Sequence, residues 1–94
     1  MDTMRREFVY TTQGPQRPFL LPDGGHVHFE LDVGAGGQGR VDITYDPAEL
    51  VGRGKARWQP YDGGHAGGIY NVVALRAVIM RAHGWATLRM TGTK

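Results

Sequence analysis

The chain has 94 residues, 40% of them hydrophobic, no cysteine, and a formal net charge of +2 at pH 7. This length predicts one domain, and the lack of cysteine excludes disulfides and thiolate metal sites. The eleven basic residues are scattered, so nucleic-acid binding is not expected. No apolar run approaches the ~18–20 residues of a membrane span. Residues 1–7 are polar and do not resemble a signal peptide, so we expect no secretion by that route.

Glycine is the residue that stands out, with 15 copies in clusters along the chain. Most clusters are separated by intervals typical of the turns between strands of a sandwich or barrel. We therefore predict an all-β fold, a single small β-sandwich or jelly-roll-like barrel with glycine-rich loops. A chain of this size buries a modest core, so association with itself or with a partner is expected to add stability.

The N-terminal part is predicted to contain one strand over residues 5–12. Prolines in the segment 14–18 end it, because proline cannot donate to a strand ladder. A short apolar stretch, residues 19–21, precedes a turn at residues 22–25. We interpret residues 1–22 as an N-terminal arm with one short strand, suited to order across a partner surface, and residues 23–94 as the β-sandwich domain.

The clearest pattern is an alternation of apolar and polar residues over 26–33 and again over 40–46. Side chains of a strand point to opposite faces with period two, so each run predicts a strand with one buried face. A glycine-rich loop, residues 34–39, joins the two runs. The sequence therefore predicts an antiparallel hairpin.

The second half is less regular. Residues 46–51 fit one helical turn with Asp46 as its cap, and residues 55–61 fit a further strand. Residues 71–83 fit either a helix capped by Asn71 or a strand. Because residues 85–91 alternate again, we favour a strand, joined to them in a hairpin whose turn is His83-Gly84.

One set of polar side chains has the composition of a metal site. His26, His28 and Glu30 lie two residues apart on a predicted strand, so all three share one face. Two imidazoles and a carboxylate are ligands found in zinc and iron sites. The alternative is that they form the solvated face of an alternating strand, as Asp32 in the same register indicates. We favour the solvated face and expect no metal and no cofactor.

Catalytic groups are scarce in the composition. The chain contains neither serine nor cysteine, which removes the two commonest nucleophiles. No glycine cluster has the spacing and the lysine of a phosphate-binding loop. The acids near the predicted hairpin (Glu30, Asp32, Asp42 and Asp46) are typical of a soluble surface. We expect that the protein is not an enzyme.

The aromatic residues and two arginines indicate a binding surface instead. Four aromatics could form a stacking platform for sugar rings, as in carbohydrate-binding modules, or lie in the core or an interface: Trp58, Tyr61, Tyr70 and Trp85. Arg76 and Arg89 lie in otherwise apolar strands, which favours a sheet face that meets another chain, since a buried arginine needs a carboxylate partner.

The second half resembles short structural proteins of tailed bacteriophages. The shared pattern starts with an alternating segment of low complexity and continues with Ala56-Arg57-Trp58, Tyr61-Asp62-Gly63-Gly64, Val72-Val73-Ala74-Leu75-Arg76-Ala77, Gly84 and Ala86-Thr87-Leu88-Arg89-Met90. The resemblance implies a virion protein made in the host cytoplasm, most simply a capsid decoration or cement protein acting as a homo-oligomer on the major capsid protein or other virion subunits. A tail or fibre component and a carbohydrate-binding β-sandwich module are the alternatives.

Two groups of contact residues follow from this hypothesis. For docking on the capsid we predict the segment 5–10, with Arg5, Phe8 and Tyr10. For the core or the oligomer contact we predict Trp58, Leu75, Ile79 and Trp85, with Arg76 at the interface.

Overall fold

A computed structural model of the protein describes residues 3–21, 26–82 and 85–93. Within these ranges the chain forms nine strands and one short helix. No helix in these ranges is long and apolar enough to cross a membrane. In chain order the elements are β1 (Thr3–Tyr10), β2 (Gly14–Pro15), β3 (Phe19–Leu20), β4 (His26–Asp32), β5 (Gln38–Thr44), α1 (Ala48–Gly52), β6 (Gln59–Pro60), β7 (Ala66–Tyr70), β8 (Ala74–Arg81) and β9 (Ala86–Thr93).

The strands form two antiparallel sheets that pack face to face. Sheet A has the strand order β1-β9-β4-β7. Sheet B has the order β2-β8-β5-β6, and β3 pairs with β8. The predicted all-β sandwich is confirmed. The described part of the predicted arm, residues 1–22, contributes β1 to sheet A and β2 and β3 to sheet B.

The core lies between the two sheets and is built by period-two alternation. On β4, Val27, Phe29 and Leu31 are buried, while the residues between them are exposed or half-buried. Leu88 and Met90 of β9 are each 1% exposed. As predicted, Leu75 and Ile79 of β8 belong to the same core cluster. Such alternation places one apolar row of β4 and one of β9 inside the sandwich and excludes them from water.

Both predicted hairpins are wrong in their pairing, although their strands are present. β4 lies in sheet A between β9 and β7, and β5 lies in sheet B between β8 and β6. Likewise β8 lies in sheet B and β9 in sheet A. Each connection therefore passes from one sheet to the other. The predicted turn His83-Gly84 and the turn at residues 22–25 lie outside the described residues.

The loop between β4 and β5 has the geometry of an arch between sheets. Gly34 and Gly36 have φ angles of +73° and +77°, which favour glycine because it lacks a Cβ atom. The Asp32 carboxylate accepts a hydrogen bond from the Gly34 N–H at 2.9 Å. Alternation alone could not reveal the arch, because two amphipathic strands bury their apolar rows equally well when they face each other across a core.

The middle of the chain differs in detail from its prediction. The helix begins at Ala48 with Pro47 at the N-cap position, without a side-chain cap. Asp46 accepts instead from the Arg57 N–H at 2.7 Å, so the predicted cap is wrong. The strand predicted over 55–61 is limited to the two residues of β6. The strand alternative for 71–83 is confirmed over β8, and Asn71 precedes it with a φ of 57°.

Candidate functional site: an open strand edge and two outer faces

β1 is the longest open edge of the sandwich. It pairs with β9 along its whole length of eight residues, and its other side has no strand neighbour in the described chain. β2 and β6 are two residues long and contain Pro15 and Pro60, and β3 directly follows Pro18. Prolines and short strands protect sheet edges against pairing with other chains. β7, at the other edge of sheet A, contains no proline but has only five residues. β1 contains no proline and, with eight residues, has the greatest pairing capacity of these edges.

An apolar groove lies beside this edge, between the rims of the two sheets. Phe8 and Tyr10 of β1 pack against the core, and the Phe8 ring lies 5.8 Å from that of Phe19 and 6.4 Å from that of Tyr10. The groove has a volume of about 420 Å³ and is completed by Arg17, Pro18 and Leu20. We call it the β1/β3 groove. Partial burial raises the pKa of Tyr10 from 10.0 to about 12, because a phenolate is poorly solvated there.

The ionisable side chains around the β1/β3 groove carry a net positive charge. Glu7 of β1 is engaged by Arg89, whose Nε lies 3.0 Å from the Glu7 Oε2. Arg5, Arg6 and Arg17 are exposed and form no ion pair among the described residues. These three arginines therefore give the edge a net positive potential that an acidic group can neutralise.

The structure brings the three predicted docking residues, Arg5, Phe8 and Tyr10, together on β1. Sequence reasoning missed the partners across the groove. Phe19 reaches β1 only because β3 pairs with β8, with Phe19 opposite Leu75. The signal in the sequence was the short apolar stretch after Pro18, but its position depends on a long-range pairing that no local pattern specifies.

A second feature lies on the outer face of sheet B, around a buried carboxylate. Asp42 is 2% exposed, and its oxygens lie 2.8 Å from the Arg40 Nε and 3.4 Å from an Arg76 terminal nitrogen. The Arg76 guanidinium also stacks 4.4 Å from the centre of the Trp58 ring. The hydrogen bond from Arg40 to Asp42 raises the pKa of that arginine. The carboxylate partner that Arg76 requires is therefore in its own chain.

Arg89 also has carboxylate partners within the chain. It contacts Glu7 and, at 3.7 Å, Glu30 on the outer face of sheet A. Neither Arg76 nor Arg89 therefore needs a carboxylate from another chain. Trp58 is half-buried, whereas Trp85 is 68% exposed. A core position for Trp85 is wrong, and its role in an interface stays a prediction.

The outer face of sheet A carries the predicted metal candidates. His26, His28 and Glu30 share this face, but each has a different neighbour. The His26 ring stacks on Tyr70 at 4.1 Å, and the His28 Nδ1 lies 3.2 Å from the Gly67 carbonyl oxygen. Glu30 is near Arg89. No group of three or more His, Cys, Asp or Glu among the described residues is placed to hold a metal ion.

A shallow depression of about 340 Å³ lies on the same outer face. Its polar rim is formed by His28, Glu30, Arg89 and Thr91, and the small residues Ala66 and Gly67 leave space between them. The aromatic platform predicted for sugars is not assembled around it. Trp58 stacks on sheet B, and Tyr61 packs edge-on against the core residue Phe29 at 4.9 Å.

The fold and these surfaces define a small β-sandwich whose longest open edge is β1. Comparison with protein-family models, curated proteins and solved structures finds no match to this chain. Its function is therefore inferred from its own surfaces.

Proposed function

We propose that the protein is a structural module that attaches to a larger protein assembly through β1, as a capsid decoration or cement protein of a tailed bacteriophage would. The observation that supports this best is the open edge of β1 beside the β1/β3 groove. The resemblance of the second half to phage virion proteins supports the same role. The partner is then the major capsid protein or another virion subunit.

The edge suits attachment for physical reasons. Main-chain groups of an unpaired edge strand form hydrogen bonds with any extended segment, and an adjacent apolar groove adds burial of side chains. Val9 and Leu20, on β1 and β3, are 55% and 50% exposed, so a partner that covers them removes apolar surface from water. On a symmetric shell many copies bind side by side, which makes a modest affinity per contact sufficient.

Co-sedimentation tests the proposal. Purified protein is mixed with shells assembled from the major capsid protein encoded in the same genome, and the pelleted fraction is measured against concentration. We expect saturable binding at a fixed ratio of copies to capsid subunits. If the protein stays in the supernatant with shells and with purified tails alike, the proposal is refuted.

A carbohydrate-binding module is the second candidate, supported by the depression on sheet A. The rim of this depression offers hydrogen-bond donors and acceptors. Tyr70, stacked on the neighbouring His26, is 66% exposed. An exposed aromatic beside polar groups is typical of a sugar site. A glycan array tests it. Binding that Tyr70→Ala abolishes and Trp85→Ala preserves would support this function, and an array without signal would exclude it.

A further inference from the structure

We infer that the partner of β1 is an extended segment that adds to sheet A as a fifth strand, with apolar side chains opposite Phe8 and Tyr10 and acidic side chains opposite Arg5 and Arg6. This inference rests on the proposed function, since it names the chemistry of the partner at the same edge. Three observations carry it: the free side of β1, the position of the β1/β3 groove, and the unpaired arginines around it.

The position of the groove determines which side chains of the added strand enter it. On β1, Phe8 and Tyr10 face the core, whereas Val9 between them faces solvent. Residues directly opposite each other on paired strands share a face. Side chains opposite Phe8 and Tyr10 therefore point toward the groove, two residues apart along the added strand. The groove volume of about 420 Å³ lies within the range of specific binding pockets, ~300–1,000 Å³, and its aromatic walls favour apolar occupants.

Three arginines near the groove indicate which side chains the other positions of the added strand carry. Arg5 is on the solvent face of β1, Arg6 shares the face of Phe8, and Arg17 lines the groove. None of the three forms an ion pair among the described residues. A carboxylate opposite Arg5 or Arg6 gains a charge-assisted hydrogen bond, and Arg17 adds positive charge at the groove, whereas a lysine at those positions is repelled. The complementary segment is therefore acidic.

The same charges disfavour the other occupant that an edge strand attracts, a second copy of β1. Pairing of β1 with its own copy brings together two segments that each carry Arg5 and Arg6, and Glu7 is already engaged by Arg89. Two segments that carry the same net charge repel each other. We therefore assign the edge to a different chain with acidic residues.

Peptide binding followed by NMR tests the assignment. The probe is the terminally blocked peptide Thr-Val-Thr-Val-Thr-Glu-Glu-Thr, which in antiparallel register places its valines opposite Tyr10 and Phe8 and its glutamates opposite Arg6 and Arg5. The control peptide has lysine in place of glutamate. We expect the acidic peptide to shift the amide signals of β1 and of Phe19–Leu20, and the basic peptide to leave them unchanged. The double variant Arg5→Glu, Arg6→Glu should bind the acidic peptide roughly tenfold more weakly, because two attractive contacts become repulsive. Arg57→Glu, an exposed arginine outside the groove, is the matched control and should bind as the native protein does.

The outcomes separate this inference from the proposed function. If the double variant still sediments with capsid shells as tightly as the native protein does, attachment stands and the acidic strand is refuted. If the acidic peptide shifts only signals around the depression on sheet A, or if β1 signals broaden as the protein dimerises without peptide, the assignment is likewise overturned. If the peptide binds at β1 but the native protein ignores shells and tails, the proposed function fails and the peptide chemistry of the edge stands.

Discussion

The carboxylate of Asp42 is the buried charge on which the outer face of sheet B depends. Asp42 lies opposite Arg76 across β5 and β8, and its side chain is 3% exposed. Asp42→Ala removes the only acidic group that contacts Arg76 among the described residues. Within the described part of the chain, the Arg76 Nε is buried without a hydrogen-bond partner, and no other side-chain acceptor for this guanidinium is present to compensate for the loss.

The expected cost follows from the burial of the two partners. Removing one partner of a buried ion pair lowers the free energy of unfolding by about 3–5 kcal/mol. The Arg76 side chain is 23% exposed, which places the cost near the lower end, about 3 kcal/mol. The pair with Arg40, whose side chain is 44% exposed, adds less than about 1 kcal/mol. For a domain of this size each kcal/mol lowers Tm by about 4–8 °C, so Asp42→Ala should melt roughly 12–24 °C below the native protein.

Urea unfolding and calorimetry measure this cost. Asp32→Asn is the control, because an exposed side chain that keeps its acceptor for Gly34 should change stability by no more than about 0.5 kcal/mol. The double variant Asp42→Ala, Arg76→Met should recover part of the loss, since it removes the unpaired guanidinium. A loss of less than about 1 kcal/mol in Asp42→Ala, or a double variant less stable than both single variants, would refute the reasoning.

Three further predictions concern the groove, strand β7 and the core. Because Tyr10 ionises near pH 10 when unfolded and near 12 when folded, its contribution to stability is intact below pH 10 and is lost as the pH rises toward 12. The stability of Tyr10→Phe, measured by urea unfolding at several pH values, should not fall in this way between pH 10 and 12. An identical pH dependence of stability in the variant and the native protein would contradict the prediction. Gly67→Ala places a Cβ against the Tyr61 ring and should cost about 1–3 kcal/mol in urea unfolding, whereas Gly52→Ala, with open space around it, should be near neutral. Leu88→Ala, at a site 1% exposed, should cost about 2–5 kcal/mol, and a value below this range would argue against tight packing there.

Sequence alternation predicted strands well and their partners poorly. The runs that became β4 and β5 alternate clearly, and the buried row of β4 is the one expected. In β5, Val41 and Ile43 are buried as expected, but Asp42 and Thr44 of the polar row are buried as well. Tyr45, expected in the apolar row, is 59% exposed. Alternation specifies which face of a strand is buried, but it does not specify which strand lies beside it. Short glycine-rich loops fit a hairpin and an arch equally, and here the arch occurs because β9, far along the chain, pairs with β4.

Only the β1 wall of the β1/β3 groove could be predicted from the sequence. The strand predicted over residues 5–12, with Phe8 and Tyr10 near its centre, supplied the docking residues on β1. The opposite wall of the groove depends on the pairing of β3 with β8, which has no local signature. The carboxylate partner of Arg76 was missed for the same reason, since Asp42 and Arg76 are opposed only after β5 and β8 have paired.

The place of β9 in sheet A has a consequence for biosynthesis. β9 lies between β1 and β4. Because β9 is the last strand of the described chain, β1 cannot form its ladder until β9 has left the ribosome. Until then β1 is unpaired on both sides, and such strands are prone to aggregate. The ladder between β1 and β9 therefore forms only after residues 86–93 have been synthesised, at a rate limited by the closure of the long loop between these two strands.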